Sequence, residues 1–406
     1  MLSEWLYILK RPYHFLKTGI LNGLVSEITN GFPARKLTVL AITGTDGKTT
    51  SSTLLYSVLK EAGFKVALLS TVAAYKGDEA IDTGFHVTSP QPADVQRFMR
   101  QLVEEGYTHL VLEVTSHGAF QYRTWGIRPT IAGITNIAHE HLDYHITYDN
   151  YVEAKSLLLK QAPTVVLNAS DTAYYRLRKI LTAEKHSVLT YAPNDSLPPI
   201  VRTAIKSRFS EQYNQMNARL VYLIAKQLGV TNKTFAQAIT QFPGISGRME
   251  RINNKRGIDI VVDFAHTPQG LTAALTALRS QITEKGSKAK LIAVYGAAGL
   301  RDFRKRPQMG YIGAELADSV VLTAEDPRTE NVWSIINQMK SNLGKFHNKV
   351  ISIADRKAAI EFALKELAKR GDTVAILGKG HEQSMCFGTT EYPWSDQQAV
   401  RDILET

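Results

Sequence analysis

The chain has 406 residues, of which 44% are hydrophobic and 21% are charged. This composition predicts a globular protein of two or three domains with a sizeable core, and no apolar run approaches the roughly 18 residues that a membrane span needs. The formal net charge is +10. Because the basic residues are dispersed and not interleaved with aromatic residues, an anionic small-molecule substrate explains this charge at least as well as nucleic acid does.

The first 35 residues predict a short helical lead-in, too small to form a core of its own. They lack a small-residue cleavage site and therefore make a poor signal peptide. Five apolar side chains fit one face of a helix: Tyr13, Leu16, Ile20, Leu21 and Leu24. Such a face predicts docking onto the body of the protein, and a helix lying on a membrane surface is the alternative.

A single cysteine, Cys386, excludes an internal disulfide framework and is typical of the reducing cytosol. We therefore expect a cytoplasmic protein without an integral membrane segment. We also expect it to be monomeric and to bind small molecules, not nucleic acid.

Apolar runs alternate with helical patterns along most of the chain, which predicts an α/β fold with mostly parallel sheets. The predicted strands are 37–43, 66–71, 108–114, 130–134, 164–167, 258–263, 290–295, 319–323, 349–352 and 373–377. The predicted helices include 91–105, 150–161, 214–228 and 356–370. A turn-rich stretch at 242–247 predicts a boundary between a central domain, 36–246, and a C-terminal domain, 247–406.

A glycine-rich loop follows the first predicted strand and precedes a helix from Thr49 to about Ala62. The predicted nucleotide-binding residues of this loop are Gly44, Thr45, Asp46, Gly47, Lys48, Thr49 and Thr50. Backbone N–H groups and the helix N-terminus can hold phosphate, Lys48 supplies a cation, and the Thr49 hydroxyl can reach Mg²⁺. Since Ile42 occupies the first glycine position of the usual pattern, the loop is a shortened variant. An ordinary strand–helix turn is the alternative, but the preceding strand favours ATP.

Two further segments carry candidate metal ligands. Glu113 ends a predicted strand, where ligands collect in open α/β sheets, and its carboxylate suits Mg²⁺, although an isolated glutamate at a strand end is more often simply exposed. Residues 139–145 contain three histidines and two carboxylates. They suggest zinc or a Mg²⁺–nucleotide role for His141, and the second is favoured because no cysteine is near. The position of Lys155 near the start of a predicted helix, taken alone, indicates only a solvated surface lysine.

Several sequence blocks in a fixed order resemble the Mur ligase family. The blocks lie at 43–50, 113–118, 141–145, 154–155, 247–250, 262–268, 305–307 and 378–382. Gly-Arg-Met-Glu at 247–250, Asp-Phe-Ala-His-Thr-Pro at 263–268 and Gly-Lys-Gly-His-Glu at 378–382 are similar to the UDP-N-acetylmuramoyl-tripeptide synthetase branch, which adds the third residue of the peptidoglycan stem. The resemblance extends from residue 36 to the C-terminus and implies a P-loop-type central domain and a Rossmann-like C-terminal domain.

The resemblance implies an ATP-dependent, ADP-forming amide ligase that acts through an acyl phosphate in cell-wall biogenesis, and hence in cell shape and division. It implies Lys48, Glu113, His141 and Lys155 as catalytic residues. The implied Mg²⁺ ligands are Thr49, Glu113, His141 and a carbamylated Lys155. Further nucleotide contacts are implied for Asn217, Arg248 and Asp263, the last two reaching ATP by closure of the C-terminal domain.

The resemblance also implies two substrate sites. The acceptor-binding residues are Thr88, Ser89, Thr115, Gln121 and Arg123. The amino-acid-binding residues are Arg301, Glu325, Asp326, Pro327, Arg328, Gly378 and Glu382. Arg328 suits a distal carboxylate, whereas Asp326 replaces the asparagine of diaminopimelate-adding relatives and favours a distal ammonium. The amino acid added is therefore diaminopimelate, lysine or another diamino acid.

The front of the chain departs from the tripeptide synthetases, which carry a uridine-binding domain ahead of the phosphate loop. Here the phosphate loop begins at residue 44, so we expect no such uridine-binding domain. A Mur-like ligase with a non-UDP acceptor, such as a pseudomurein-type peptide, is one alternative. A catalytically inactive nucleotide-binding scaffold is another, although retention of Lys48, Glu113, His141 and Lys155 argues against it.

Overall fold

The computed structural model describes residues 7, 10–70, 74–77, 79–81, 89–138, 140, 142–284, 286 and 288–405. The chain divides into two compact units, Met1–Pro243 and Gly244–Thr406. Our predicted limits, 1–35, 36–246 and 247–406, stay predictions. Among the described residues, no helix is long and apolar enough to cross a membrane.

The first unit is built on an eight-stranded sheet. Its strands are β1 Thr38–Thr43, β2 Val66–Leu69, β3 Ala74–Lys76, β4 Glu79–Ile81, β5 His109–Glu113, β6 Ile131–Ile134, β7 Thr164–Asn168 and β8 Ser187–Tyr191. Their order is β4-β3-β2-β5-β1-β6-β7-β8. The run from β2 to β8 is parallel, and β3 and β4 are antiparallel additions at one edge. The central position of β1 explains its near-continuous burial, because helices cover both faces of a parallel sheet.

Helices of the first unit cover this sheet. They are α1 Phe15–Leu24, which is π-helical, α2 Val25–Thr29, α3 Lys48–Glu61, α4 Pro92–Glu104, α5 Ser116–Phe120, α6 Leu142–His145, α7 Tyr148–Leu159, α8 Tyr174–Ala183, α9 Pro199–Arg208, α10 Gln212–Gln227 and α11 Asn232–Gln241. A 3₁₀ turn, Pro33–Lys36, leads into β1.

The helical lead-in docks through the face opposite to the one we predicted. Gly19 and Gly23 lie against the ring of Trp125, so closely that a Cβ atom would come within 2.8 Å and 2.5 Å of it. The predicted apolar face points outward instead, and Leu16 and Leu21 are 58% and 69% exposed. The prediction that this face docks on the protein is therefore wrong. The small residues Gly19 and Gly23 occupy the inner face because they let the helix backbone approach the indole ring of Trp125.

The second unit contains a six-stranded sheet and a hairpin. Its strands are β9 Glu250–Ile252, β10 Asp259–Asp263, β11 Leu291–Tyr295, β12 Ser319–Leu322, β13 Val350–Ser352, β14 Thr373–Leu377, β15 Ser384–Phe387 and β16 Thr390–Pro393. The sheet order is β13-β12-β11-β14-β10-β9, with β9 antiparallel, and β15 pairs with β16. The helices are α12 Pro268–Glu284, α13 Arg306–Leu316, α14 Val332–Lys340, α15 Arg356–Phe362 and α16 Asp396–Glu405. Short helical turns occupy Phe303–Lys305, Gly344–Lys349 and Ala363–Leu367.

Both sheets confirm the predicted α/β class. Apolar clusters lie on each side of the second sheet, one around Leu275 and Met309 and the other around Ile360 and Val400. In both units the carboxyl ends of neighbouring parallel strands meet along one edge, which is where ligands bind in such sheets.

Candidate active site

The phosphate loop lies between β1 and α3, and two glycines fix its path. Gly44 has φ 150° and Gly47 has φ 77°, the second in the left-handed region at the helix N-cap. A Cβ atom on Gly44 would lie 1.7 Å from Thr135 Oγ1, and one on Gly47 would lie 2.5 Å from Asn217 Oδ1. The loop therefore packs against two polar side chains that no larger residue at these glycine positions could approach.

Residues after β6 hold this loop. The N–H groups of Thr45 and Asp46 donate to the Asn136 side chain at 3.2 Å and 2.9 Å, and Thr135 Oγ1 donates to Asp46 O at 2.6 Å. Thr135 and Asn136 were not among the residues predicted to hold the loop. Because β6 neighbours β1 in parallel register, the two strand ends meet, and this long-range pairing is not visible in the local sequence.

Lys48 and the first turn of α3 supply positive charge. The Lys48 ammonium donates to Thr45 O at 2.6 Å, and the helix N-terminus carries N–H groups that lack an intrahelical acceptor. Both features attract an anion.

Glu113 and Thr49 form a buried oxygen cluster beside the loop. Glu113 is the last residue of β5 and pairs in register with Ile42 of β1. The Thr49 hydroxyl lies 3.1 Å and 3.0 Å from the two Glu113 carboxylate oxygens. These hard oxygens suit Mg²⁺, which takes one or two protein carboxylates and completes its shell with phosphate and water. The residues present therefore fit the metal that the sequence predicts.

Lys155 is not the solvated lysine that its helix position alone predicts. It is 1% exposed, and its Nζ donates to Gly44 O at 2.5 Å and lies 4.6 Å from the ring centre of Tyr151. Burial lowers the pKa of this ammonium well below its ordinary value, and the charge of Lys48 lowers it further. The structure thus places an amine biased toward its neutral form against the phosphate loop.

The predicted metal ligand His141 and the neighbouring His139 lie outside the described residues. Among the residues that are described, no group of three or more His, Cys, Asp or Glu side chains could hold a metal ion. The third histidine, His145, is fully buried and bonds Tyr7 Oη at 3.0 Å and Ser116 Oγ at 3.1 Å. This chain of Tyr7, His145 and Ser116 braces the turn after β5, and the sequence analysis assigned no role to it.

Four of the five predicted acceptor residues belong to one polar region after β5, and the fifth, Thr88, lies outside the described residues. Ser89 Oγ lies 3.1 Å from Thr115 Oγ1, and Arg123 Nη1 donates to Ser89 O at 2.8 Å. Thr115 caps α5 by accepting from Gly118 N, and Gln121 donates to Tyr144 Oη at 2.8 Å. A peptide carboxylate bound here would meet hydroxyl and guanidinium donors.

In the second unit, the predicted nucleotide residues flank the end of β10. Asp263 accepts from Met249 N at 2.8 Å and from Ala265 N at 2.9 Å. The Arg248 guanidinium lies 4.5 Å from the ring centre of Phe264, and burial, with the charges of Arg248 and Lys379, lowers the pKa of His381 to about 3. Arginine on an aromatic face offers a flat cationic surface.

The predicted amino-acid residues gather where β12 and β14 end. Lys379 pairs with Asp326 at 2.7 Å and with Glu382 at 2.6 Å, so the charge that Asp326 adds is offset inside the protein. Asp326 and Arg328 have φ 40° and 53°, in the left-handed region, where strain often marks a functional loop. Arg328 donates to Gly299 O at 2.8 Å, while Arg301, after β11, is exposed.

Glu325 is the most unusual group of this region. It is 7% exposed, and its Oε2 atom has no hydrogen-bond partner among the described residues. Burial raises the pKa of Glu325 to about 7, against the opposing charges of Lys305 and Arg356. A Cβ atom on Gly378 would lie 2.7 Å from that oxygen, so the glycine leaves it room. An unpartnered buried carboxylate is suited to an incoming ammonium.

A buried ion pair holds the carboxyl ends of β12 and β14 in place. Arg356 and Asp396 are 1% and 0% exposed at their side chains and make two contacts of 2.7 Å. Arg356 also donates to Ala324 O and Leu377 O, the residues that precede Glu325 and Gly378. The pair therefore fixes the spacing of the two strand ends.

The first unit carries a phosphate loop with a buried carboxylate beside it, and the second α/β unit carries its own cluster of charged side chains around Glu325. The first of these arrangements is typical of an enzyme that binds a nucleotide. Residues 42–232 match the profile of the Mur ligase middle domain, and residues 247–380 match the profile of the Mur ligase glutamate ligase domain. The chain belongs to the Mur ligase family.

Two proteins with known names and one solved structure are similar to most of this chain. A UDP-N-acetylmuramoyl-L-alanyl-D-glutamate–2,6-diaminopimelate ligase of Clostridium tetani is 32% identical over 393 residues, covering 92% of this chain and 79% of the relative. The ligase of that name from Gloeobacter violaceus is 35% identical over 396 residues, with coverages of 92% and 78%. A solved structure with the same enzyme name aligns with a TM-score of 0.61 at 26% identity, covering 94% of this chain and 82% of that one.

Proposed function

We propose that this chain joins a diamino acid to the glutamyl carboxylate of a cell-wall peptide precursor at the expense of ATP. The observation that carries the proposal is the buried set of Thr49, Glu113 and Lys155 against the phosphate loop. A structural turn would not need a buried lysine and carboxylate at that place. The names of the relatives, which describe ligation to L-alanyl-D-glutamate, support the same acceptor chemistry.

In the first step an oxygen of the acceptor carboxylate attacks the γ-phosphorus of ATP. The bond from that phosphorus to the β,γ-bridging oxygen breaks, ADP leaves, and an acyl phosphate remains. Lys48 and the N-terminus of α3 stabilise the negative charge on the transferring group. Ser89, Thr115 and Arg123 orient the acceptor.

In the second step the amine nitrogen of the diamino acid attacks the acyl carbon. The tetrahedral intermediate collapses, the bond from carbon to the phosphate oxygen breaks, and inorganic phosphate leaves as the nitrogen loses its proton. We assign Glu325 to the ammonium of the amino acid and Arg328 to its distal carboxylate. Closure of the second unit, bringing Arg248 and Asp263 to the nucleotide, remains part of the proposal.

Mg²⁺ is the metal that this site would hold, with Thr49, Glu113 and His141 as candidate ligands. When bound, it offsets the negative charge of the phosphate oxygens. Lys155 would complete the set as a carbamate, since burial and the charge of Lys48 favour its neutral amine, which is the form that reacts with carbon dioxide. In that reaction the amine nitrogen bonds to the carbon of carbon dioxide and loses a proton to water, which leaves a carboxylate-like group that would supply an oxygen ligand.

We infer that the added amino acid is diaminopimelate. Diaminopimelate and lysine both carry a second ammonium, so the second carboxylate of diaminopimelate is what distinguishes them. Arg328 is retained for that carboxylate, and Lys379 offsets at 2.7 Å the charge of Asp326 that would otherwise repel it. We further propose a cytoplasmic monomer that acts on small-molecule substrates and not on nucleic acid.

Acceptor-stimulated ATP hydrolysis tests the proposed function. We expect ADP release to require both a γ-linked glutamyl peptide acceptor and a diamino acid, with diaminopimelate used faster than lysine. The paired measurement uses the acceptor with and without its UDP group. ATP hydrolysis that proceeds at the same rate without either substrate would contradict the proposed ligation, and the absence of any hydrolysis would favour the inactive nucleotide-binding scaffold.

The raised pKa of Glu325 predicts a pH dependence. As pH rises through about 7, Glu325 loses its proton and gains the charge that binds an ammonium, so kcat/KM for the diamino acid should rise. Glu325→Gln should lower kcat/KM by about 10- to 100-fold and remove this limb of the profile, since a charged hydrogen bond contributes about 1.5–3 kcal/mol. Glu315→Gln, on α13, is the matched control. An unchanged profile in Glu325→Gln would remove Glu325 from the amino-acid site.

A further inference from the structure

The lead-in helices carry large apolar side chains on the face that points away from the protein. Six of them are 38–69% exposed: Tyr13, Leu16, Leu21, Leu24, Val25 and Ile28. We call these six residues the outer stripe. Single exposed apolar residues are ordinary, but a run on one helix face marks an interaction surface.

The arrangement is the reverse of a normal surface helix. Buried positions recur about every four residues and are small or polar: Thr18, Gly19, Gly23, Ser26 and Glu27. Gly19 and Gly23 lie on the Trp125 ring, and Asn22 Oδ1 accepts from Ala93 N of α4 at 3.1 Å. The helix is therefore fixed to the first unit by its small side, which holds the outer stripe outward.

The exposed charges of the segment that carries the outer stripe, residues 10–36, have one sign. Lys10 and Lys17 are exposed at its start, and Arg35 and Lys36 are exposed in the turn that follows α2. Glu27 is the one acidic residue between positions 10 and 36, all of which are described, and it is buried. No exposed acid in this segment opposes the lysines and the arginine.

We propose that the outer stripe docks the enzyme on an anionic membrane surface. Apolar side chains would enter the boundary between headgroups and acyl chains, while Lys10, Lys17, Arg35 and Lys36 contact lipid phosphates. A second copy of this chain fits less well. A two-fold symmetric contact sets the same surface against itself and would bring like charges together. The proposal is independent of the ligase chemistry, because no residue of the outer stripe belongs to the nucleotide or substrate sites.

Vesicle flotation of the full chain tests the docking. The probes are vesicles of phosphatidylcholine with phosphatidylglycerol, and vesicles of phosphatidylcholine alone. We expect the protein to float with the anionic vesicles and to float less at high salt. When only neutral vesicles are present, the protein should remain at the bottom of the gradient. The double variant Leu16→Glu/Leu21→Glu should reduce the bound fraction by about tenfold or more, since it places two charges in the apolar face.

Ile200→Glu is the matched control, because Ile200 is 49% exposed on α9 of the same unit but outside the outer stripe. It should float like the wild type. Thermal unfolding checks that the double variant is folded, and Leu16→Ser/Leu21→Ser replaces it if it is not. Equal flotation of double variant and control would overturn the proposal. So would sedimentation velocity showing a wild-type dimer that the double variant makes monomeric, because a second copy would then cover the stripe.

Discussion

Replacing Lys48 by alanine should slow ATP turnover on the order of 10³-fold, as expected when a positioned charge that stabilises the transition state is removed. Lys48 follows the left-handed Gly47 at the start of α3, and its ammonium lies over the loop, 2.6 Å from Thr45 O. Since charge accumulates on the phosphoryl group as it transfers, kcat should fall more than KM rises. Release of ADP in the presence of acceptor and diamino acid is the measurement.

Lys60→Ala provides the control for this experiment. Lys60 lies in the last turn of the same helix and is exposed, so its removal changes the net charge of the protein equally without touching the loop. We expect turnover close to the wild type. If Lys48→Ala also turned over at that rate, the loop would not be the site of phosphoryl transfer.

Most of the strands that the sequence predicted are buried, and the edge strand β13, predicted at 349–352, is only partly so. The central strands, such as those predicted at 37–43 and 373–377, are mostly apolar because helices cover both faces of a parallel sheet. The sequence analysis missed the hairpin of β15 and β16, whose second strand is wholly exposed and has no apolar run. Likewise, the predicted helix 356–370 is α-helical only to Phe362 and continues as a π-helical turn.

Individual site residues could be predicted, but their partners could not. Lys48 and Glu113 follow from their position at strand ends. Nothing local to Asn136 reveals that it holds the loop, because that contact depends on β6 lying beside β1. The contact of Tyr7 with His145 spans 138 positions in the chain and is equally invisible to any local pattern.

The periodicity of the sequence predicted the wrong orientation for the lead-in helix α1. Apolar periodicity identified four of the six residues of the outer stripe, Tyr13, Leu16, Leu21 and Leu24, as part of one face, but placed that face toward the protein. The rule that the apolar face turns inward assumes that water is the only alternative environment. Here Trp125 offers a flat aromatic surface that glycines reach more closely than leucines can, and this contact decides the orientation.

Lys155 is the residue whose environment differs most from its sequence context, and Lys155→Ala should abolish ligation. Its amine is buried against Gly44 O, where a carbamate would bring a metal-binding oxygen to the phosphate loop. The loss should reach on the order of 10³-fold, comparable to removal of another electrostatic contributor to phosphoryl transfer. Short carboxylic acids should restore part of the activity of Lys155→Ala, because they can supply the missing carboxylate in the cavity that alanine leaves.

The direct readout for Lys155 is ¹³C NMR of protein equilibrated with ¹³C-labelled bicarbonate, since carbamates decompose before intact mass spectrometry. The wild type should show a carbamate resonance that Lys155→Ala lacks. Lys160→Ala is the control: this residue follows α7 and pairs with Glu184 at the surface, so both the resonance and the ligation rate should persist. A wild-type spectrum without the resonance, together with unchanged activity after bicarbonate is removed, would show that Lys155 acts as a plain amine. Its burial beside Gly44 would then serve to hold the loop, and Glu113 and Thr49 would remain the protein oxygens that the described residues offer to Mg²⁺.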